Sequence, residues 1–118
     1  MEHWKVTPRG EDILIVARGH DKQRAFERVL LTFDALAATR EQFTLYADLS
    51  EMTGYESETR KAWQELLRGY RTRIRKLVFI GARFALIRMG AAAVGAFAAI
   101  PVVFVDHWDQ LAPPDVRV

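Results

Sequence analysis

The sequence predicts a single α/β domain built on a mixed, mostly parallel sheet of four or five strands covered by helices. Two short apolar runs, residues 77–80 (LVFI) and 102–105 (VVFV), have the character of buried parallel strands. Between them, residues 82–99 are apolar over almost their whole length, and this segment is long enough for a crossover helix. Residues 75–105 are therefore predicted to form one strand–helix–strand unit.

The elements before this unit follow the order expected of such a sheet. Residues 4–6 and 13–17 are predicted to form an antiparallel hairpin around a turn at 8–10. Asp21 is predicted to cap a first helix that ends near Arg40. Its buried face consists of apolar residues at helical spacing, namely Phe26, Val29, Leu30, Phe33, Leu36 and Ala37. Residues 43–49 alternate between apolar and polar, which predicts a strand.

A loop is predicted at residues 50–55, before a second helix. The cap of this helix is predicted to be Ser57, or Thr53 in a capping box with Glu56. Gly69 is predicted to mark its end. The inner face of this helix is predicted from four large side chains at helical spacing, Trp63, Leu66, Leu67 and Tyr70.

The chain is predicted to end in one short helical turn after the last strand. Asp106 is predicted to cap this turn, and Pro113 and Pro114 to stop it, which leaves 112–118 as a loosely held tail. The resulting order is β-β-α-β-α-β-α-β. It fills one domain, residues 1–118, without an internal repeat or a linker.

Composition narrows the functional classes. The chain of 118 residues contains no cysteine, which excludes a disulfide framework, a thiolate metal site and a cysteine nucleophile. A net charge of +2 does not indicate nucleic-acid binding, and the arginines between 68 and 76 are interpreted as a solvated helix end. The N-terminus lacks the pattern of a signal peptide, and the uncharged run 89–105 is too short to span a membrane. We therefore expect a cytoplasmic protein without an integral membrane segment or a nucleic-acid partner.

The order of elements and four stretches of sequence resemble the STAS domain, in its divergent SpoIIAA-like (STAS/CRAL-TRIO-like) form. These stretches are ILIVARGHD (13–21), DLSEMT (48–53), 77–81 and 101–106. The resemblance covers nearly the whole chain. It implies a bacterial, non-enzymatic regulatory or protein-interaction module without a cofactor, expected to be a homodimer. The CRAL-TRIO-like relationship implies an alternative, a domain that binds a small apolar ligand or a lipid, with an internal apolar cavity beside the third helix.

Phosphorylatable STAS domains carry a serine at the start of the second helix, in an Asp-Ser-Ser-Gly-like motif. The equivalent stretch here is Glu56-Ser57-Glu58-Thr59, so Ser57 is the candidate phosphosite. Acidic residues replace the first and third members of the motif, and their charge would repel a phosphate. A simple capping role for Ser57 is the favoured interpretation.

Several residues with reactive or charged side chains follow the predicted strands, where open α/β sheets bind ligands. The candidate rim site consists of His20, Asp48, Ser50, Arg83, Asp106 and His107. Capping and turn roles explain the same residue types, and no spacing matches a known catalytic motif. An enzyme that uses Asp48, Ser50 and His107 is therefore the least favoured hypothesis. The spacing of His3, His20 and His107 predicts no metal site.

The third helix carries more apolar surface than one sheet requires. One stripe consists of Phe84, Ile87, Ala91, Val94 and Ala98, and a second of Leu86, Met89, Ala93, Phe97 and Ile100. The second stripe is the candidate interface. It is predicted to contact the first helix, a twofold-related copy, a partner protein or a lipid-like ligand.

Overall fold

The computed structural model describes residues 4–21 and 23–111, without the side chains of residues 20–26. The elements are β1 (Trp4–Arg9), β2 (Asp12–Asp21), α1 (Gln23–Ala38), β3 (Phe43–Tyr55), α2 (Ser57–Gly69), β4 (Ile74–Ile80), α3 (Ala85–Ala98) and β5 (Val102–Val105), followed by a 3-10 turn at Trp108–Gln110. This is the predicted order. No helix within the described ranges is long and apolar enough to span a membrane.

The five strands form one mixed sheet in the order β1-β2-β3-β4-β5. β1 pairs antiparallel with β2, and the other three pairs are parallel. The predicted fold class is thereby confirmed. Strand neighbours lie in sequence order because each helix returns the chain to the next position in the sheet.

All three helices lie on one face of the sheet. The main core joins inward-facing strand residues such as Ile15 and Leu77 to Phe33 of α1, Trp63 of α2 and Ile87 of α3. Successive residues of a strand point to opposite faces. The opposite face therefore has its own, smaller cluster, which contains Tyr46, Val78 and Ile80 with Leu14, Val105, Trp108 and Leu111 around them. Since this cluster includes no residue of α1, α2 or α3, the segment after β5 covers that face.

β2 and β3 extend further than the sequence predicts. β3 continues through residues 50–55, where a loop was expected, and pairs there with residues 18–21 of β2. The register is irregular at two points along this extension. Strand pairing overrides the turn propensity of Ser50, Thr53 and Gly54. Asp21 is the last residue of β2; its side chain and Lys22 lie outside the described residues, so its capping role stays a prediction.

The predicted caps of two helical segments are wrong. Glu56 occupies the N-cap position of α2 without a side-chain cap, Ser57 is the first helical residue, and Thr53 lies in β3. The terminal turn begins at Trp108, after His107 rather than at Asp106. Its cap is the Gln110 side chain, whose Oε1 accepts hydrogen bonds from the backbone N–H groups of Asp106 and His107 at 2.6 and 3.0 Å. The end of α2 at Gly69 is as predicted.

The run 77–80 is buried as predicted, whereas the run 102–105 is only partly buried. β5 lies at the edge of the sheet, and 40% of Val103 is exposed. α3 packs closely against this edge strand at Gly95, where an added Cβ would lie 2.1 Å from Val102 Cγ2. The glycine therefore sets the distance between α3 and β5.

Candidate functional site

An apolar cavity lies between the sheet, α2 and α3, beside the third helix. Its volume is about 80 Å³. The strands contribute Ile15, Leu45 and Phe79 to its wall, α2 contributes Trp63 and Leu67, and α3 contributes Ile87, Ala91 and Val94. Almost all of the lining is apolar. The cavity is partly open to solvent.

Small residues on the inner face of α3 leave this space. Ala91 lines the cavity where a larger side chain would fill it, whereas Gly90 allows Tyr55 to pack against the helix backbone. An added Cβ at Gly90 would lie only 2.7 Å from the ring of Tyr55. Tyr55 ends the extended strand β3, and its hydroxyl donates a hydrogen bond to the carbonyl oxygen of Leu86 at 3.3 Å. The extension of β3 thus places Tyr55 against α3 at the wall of the cavity.

Two polar groups in the wall have no hydrogen-bond partner among the described residues. They are Nε of Arg60, on α2, and Nε1 of Trp4, on β1, and both atoms are buried. The indole of Trp4 stacks on that of Trp63, with 5.4 Å between ring centroids and 26° between the planes. Both donors are covered by their neighbours and do not reach the cavity surface, so the wall that a molecule in the cavity would contact is almost entirely apolar.

Of the predicted rim residues, the structure brings together Asp48 and Ser50. The hydroxyl and the backbone N–H of Ser50 donate to Asp48 Oδ1 at 2.6 and 3.0 Å, and Trp108 Nε1 donates to Oδ2 at 2.7 Å. Burial alone would raise the pKa of Asp48. These hydrogen bonds, with a contribution from the charge of Arg18, outweigh it and hold the pKa below its ordinary value of 3.8. The carboxylate is thus held ionised by its hydrogen-bond donors.

The remaining rim residues do not join this pair. Arg83, Asp106 and His107 are exposed, and no hydrogen bond or ion pair between described residues links their side chains to Asp48. Asp48 lies inside β3, opposite Ile80, rather than at the end of its strand. The side chain of His20 and the whole of His3 lie outside the described residues, and no metal-binding cluster occurs among the side chains that the structure includes.

Sequence reasoning missed Trp4, Arg60 and Trp108. Arg60 lies one and two turns before Trp63 and Leu67 on the same face of α2, so a cation on the apolar stripe of this helix was the available signal. Trp4 falls on the helix-covered face of β1, opposite Ala17. Trp108 carried no comparable signal, because its partner Asp48 is sixty residues away along the chain.

The second stripe of α3 lies at the surface. The exposed fractions are 56% for Leu86, 68% for Met89 and 44% for Phe97, while Ala93 between them is half-buried. α3 packs against α2 and β3, so the expected packing of this stripe against the first helix is not its main contact. Two ends of the predicted stripes differ, because Phe84 is exposed and Ile100 is buried.

Ser57 is exposed and is the first residue of α2, between the exposed Glu56 and Glu58. This position leaves its hydroxyl at the surface, with two carboxylates beside it in sequence. Its phosphorylation stays a prediction.

Comparisons with known proteins reveal the fold. No family model matches the sequence, and no curated protein matches it. The chain is similar to the solved structure of an uncharacterized protein of the DUF3478 family from Shewanella loihica PV-4, described as having a SpoIIAA-like fold. The TM-score is 0.71 at 13% identity, over 98% of this chain and 92% of that one. The resemblance predicted from the sequence is confirmed at the level of architecture, and the chain adopts a SpoIIAA-like fold.

Proposed function

We propose that this domain is a non-enzymatic binding module for a small, mostly apolar molecule, which occupies the cavity between the sheet, α2 and α3. The observation that carries this proposal is the cavity itself, with its nearly continuous apolar wall beside the third helix. An apolar molecule that leaves water for such a wall gains about 0.8 kcal/mol for each buried methylene group. The wall comes from elements far apart in sequence, so occupancy would also stabilise their packing.

The hydrogen bonds of Asp48 and Ser50 and the pKa of Asp48 favour a binding role over catalysis. Asp48 accepts three hydrogen bonds, and its lowered pKa makes it a weak base. The hydroxyl of Ser50 donates a hydrogen bond to this ionised carboxylate. A serine nucleophile instead requires a base with a pKa near the working pH. The pair is therefore suited to holding the strand and the terminal turn in place.

The cavity proposal is tested by filling the cavity. Ala91→Phe places a ring in the cavity, whereas Ala92→Phe makes the same change at the exposed neighbouring position on α3. We expect titration calorimetry with 1-octanol and with octanoate to detect binding to the unchanged protein and to Ala92→Phe, but not to Ala91→Phe. Equal binding to both variants, once circular dichroism shows both folded, would overturn the proposal.

A second candidate function, protein interaction through a homodimer, is favoured by the exposed stripe of α3. Leu86, Met89 and Phe97 present large apolar side chains on one helix face, with Ala93 between them. A small residue between large ones allows two copies of the helix to approach closely, and a twofold contact would bury the same stripe from both chains. The guanidinium of Arg68 lies 5.6 Å from the ring centroid of Phe97, at the edge of the stripe.

Sedimentation velocity tests this second candidate. We expect a dimer at micromolar concentration that Met89→Lys converts to monomer, because a charge at the centre of an apolar contact is costly. Ala92→Lys is the matched control, since it adds the same charge to an exposed position of α3 outside the stripe. If the unchanged protein sediments as a monomer at all concentrations, the homodimer is ruled out.

A further inference from the structure

We infer that the outer edge of β5 binds an extended, acidic segment of a partner protein, which adds a strand to the sheet. This inference goes beyond the proposed function, because it concerns neither the cavity nor the apolar stripe of α3. It follows from the unpaired backbone groups of β5, from the lack of features that block such an edge, and from the cations beside it.

β5 is paired on one side only. The carbonyl oxygens of Pro101 and Val105 accept hydrogen bonds from two backbone N–H groups, one in β4 and one directly after it. Residues 101, 103 and 105 therefore direct their backbone groups towards β4, and Val102 and Phe104 direct theirs away from the sheet. No described strand lies beyond β5. The edge thus offers an incoming strand two donors and two acceptors.

The two edges of the sheet differ in their protection against strand pairing. β1, at the other edge, contains Lys5, Pro8 and Arg9, and natural sheets use charges and proline to prevent pairing by another strand. β5 has the sequence VVFV, without a charge or a proline. Val103 is 40% exposed and points to the helix-free face, since the residues on either side of it pack on the helix-covered face. β5 is therefore the edge suited to strand addition.

The charge around this edge favours an acidic partner. The guanidinium of Arg88, on α3, lies 4.2 Å from the ring centroid of Phe104. Arg88 is exposed and forms no ion pair with a described residue, and Lys76 is exposed on β4, the strand beside β5. Residues 66–105 contain Lys and Arg but no Asp or Glu. A basic segment would be repelled here, whereas a carboxylate beside Phe104 would pair with Arg88.

The geometry of the edge also sets the pattern of the partner segment. Side chains that lie opposite each other on paired strands point to the same face of the sheet. The partner residue beside Val103 therefore faces the helix-free side and suits an apolar side chain. The partner residues before and after it face α3 and Arg88, and suit Glu or Asp. The inferred partner is thus an extended segment in which apolar and acidic residues alternate.

A fluorescein-labelled peptide with this pattern, TVEVEVT, tests the inference by fluorescence anisotropy at pH 7. We expect it to bind at least about 10-fold more tightly than TVKVKVT, which keeps the alternation and reverses the charge. Methylation of every second backbone nitrogen is expected to abolish binding for one of the two alternating sets and to leave it for the other, because only one set faces β5. Arg88→Gln is expected to weaken binding of TVEVEVT. Arg83→Gln, the same change at another exposed arginine, is expected to keep it.

Each result decides a separate step of the inference. If TVEVEVT binds no more tightly than TVKVKVT, the edge recognises no acidic segment and the inference fails. If the two methylated forms bind equally, the peptide is held by charge alone and adds no strand to β5. If Arg88→Gln, shown to be folded by circular dichroism, binds TVEVEVT as well as the unchanged protein does, the cation beside Phe104 does not select the partner. The peptide comparisons use the unchanged protein and need no variant.

Discussion

Trp108 donates a hydrogen bond from its indole Nε1 to Oδ2 of Asp48, at 2.7 Å, and so joins the terminal turn to the middle of β3. The guanidinium of Arg9 lies 4.4 Å from the ring centroid of Tyr46 and 5.2 Å from that of Trp108. These contacts hold the terminal segment over the face of the sheet that carries no helix. They replace the second helical layer that covers the other face of many α/β sheets.

Replacement of Trp108 by Phe is expected to lower the free energy of unfolding by about 1.5 kcal/mol. The change keeps a ring beside Tyr46 and removes the donor to the Asp48 carboxylate, and hydrogen bonds to charged groups contribute amounts of this size. Urea denaturation at pH 7 measures the effect. Trp4→Phe is the matched control, since the Nε1 of Trp4 has no partner among the described residues. An equal loss in both variants would assign the effect to ring size.

Stability is expected to fall in acid partly because Asp48 becomes protonated. Its folded pKa is below the ordinary value of 3.8, so the ionised carboxylate stabilises the fold above that value. This stabilisation is lost as the pH decreases through the folded pKa. Asp48→Asn is therefore expected to be less stable than the unchanged protein at pH 7, with a shallower loss below about pH 4. Denaturation curves across this range test the slope, and an NMR titration giving Asp48 a pKa above 3.8 would contradict the assignment.

The unit from β4 to β5 was predictable because its signals are local. Apolar runs bounded by turn residues, with a helix-length segment between them, specify the unit without information from elsewhere in the chain. The extension of β3 was not predictable in this way. Ser50, Thr53 and Gly54 have turn propensity, and pairing with residues 18–21 decides their conformation. Long-range pairing of this kind leaves no periodic pattern in the strand itself.

The candidate site shows the same difference between local signals, which were predictable, and long-range contacts, which were not. The CRAL-TRIO-like resemblance implied an apolar cavity beside the third helix, and an apolar cavity lies beside α3. The contribution of Trp4 to the cavity wall was missed, because it depends on Trp4 of β1 meeting Trp63 of α2. The Asp48–Ser50 pair was found because the two residues are two positions apart. Arg83 and His107 also follow strands along the chain. In the structure, no hydrogen bond or ion pair between described residues links their side chains to this pair.

Gly95→Ala is expected to destabilise the domain by about 1–3 kcal/mol, the range typical of overpacking. The added methyl group would lie 2.1 Å from Val102 Cγ2, so α3 must move away from β5. Thermal denaturation followed by circular dichroism measures the loss. Val102→Ala in the same chain is expected to recover part of it, because it removes the atom that collides.

The control for this change is Gly69→Ala, at the end of α2. Apart from its own helix backbone and its two chain neighbours, no atom of the described residues lies within 4 Å of the position that its Cβ would occupy. Alanine has the higher helix propensity, so this variant is expected to be neutral or more stable by up to about 1 kcal/mol. A loss at both glycines would show that helix flexibility, rather than the approach of α3 to β5, explains the effect.

Ala99→Gly is expected to stabilise the domain by roughly 0.5–1 kcal/mol. Ala99 has φ 58° and ψ 42°, the left-handed conformation that costs a residue with a Cβ about 1–2 kcal/mol. It ends α3 in a Schellman motif, with hydrogen bonds from Ala99 N–H to Ala96 O and from Ile100 N–H to Gly95 O. Glycine removes the strain, and its greater freedom in the unfolded chain offsets part of the gain.

The same chemical change three residues earlier should have the opposite sign. Ala96 is exposed within α3, where glycine has a helix propensity about 1 kcal/mol poorer than that of alanine. Urea denaturation of Ala99→Gly and Ala96→Gly side by side should therefore move the midpoint in opposite directions. Destabilisation by both would mean that the left-handed position at the end of α3 carries no strain, and that the helix end is held by the contact of Ile100 with the core.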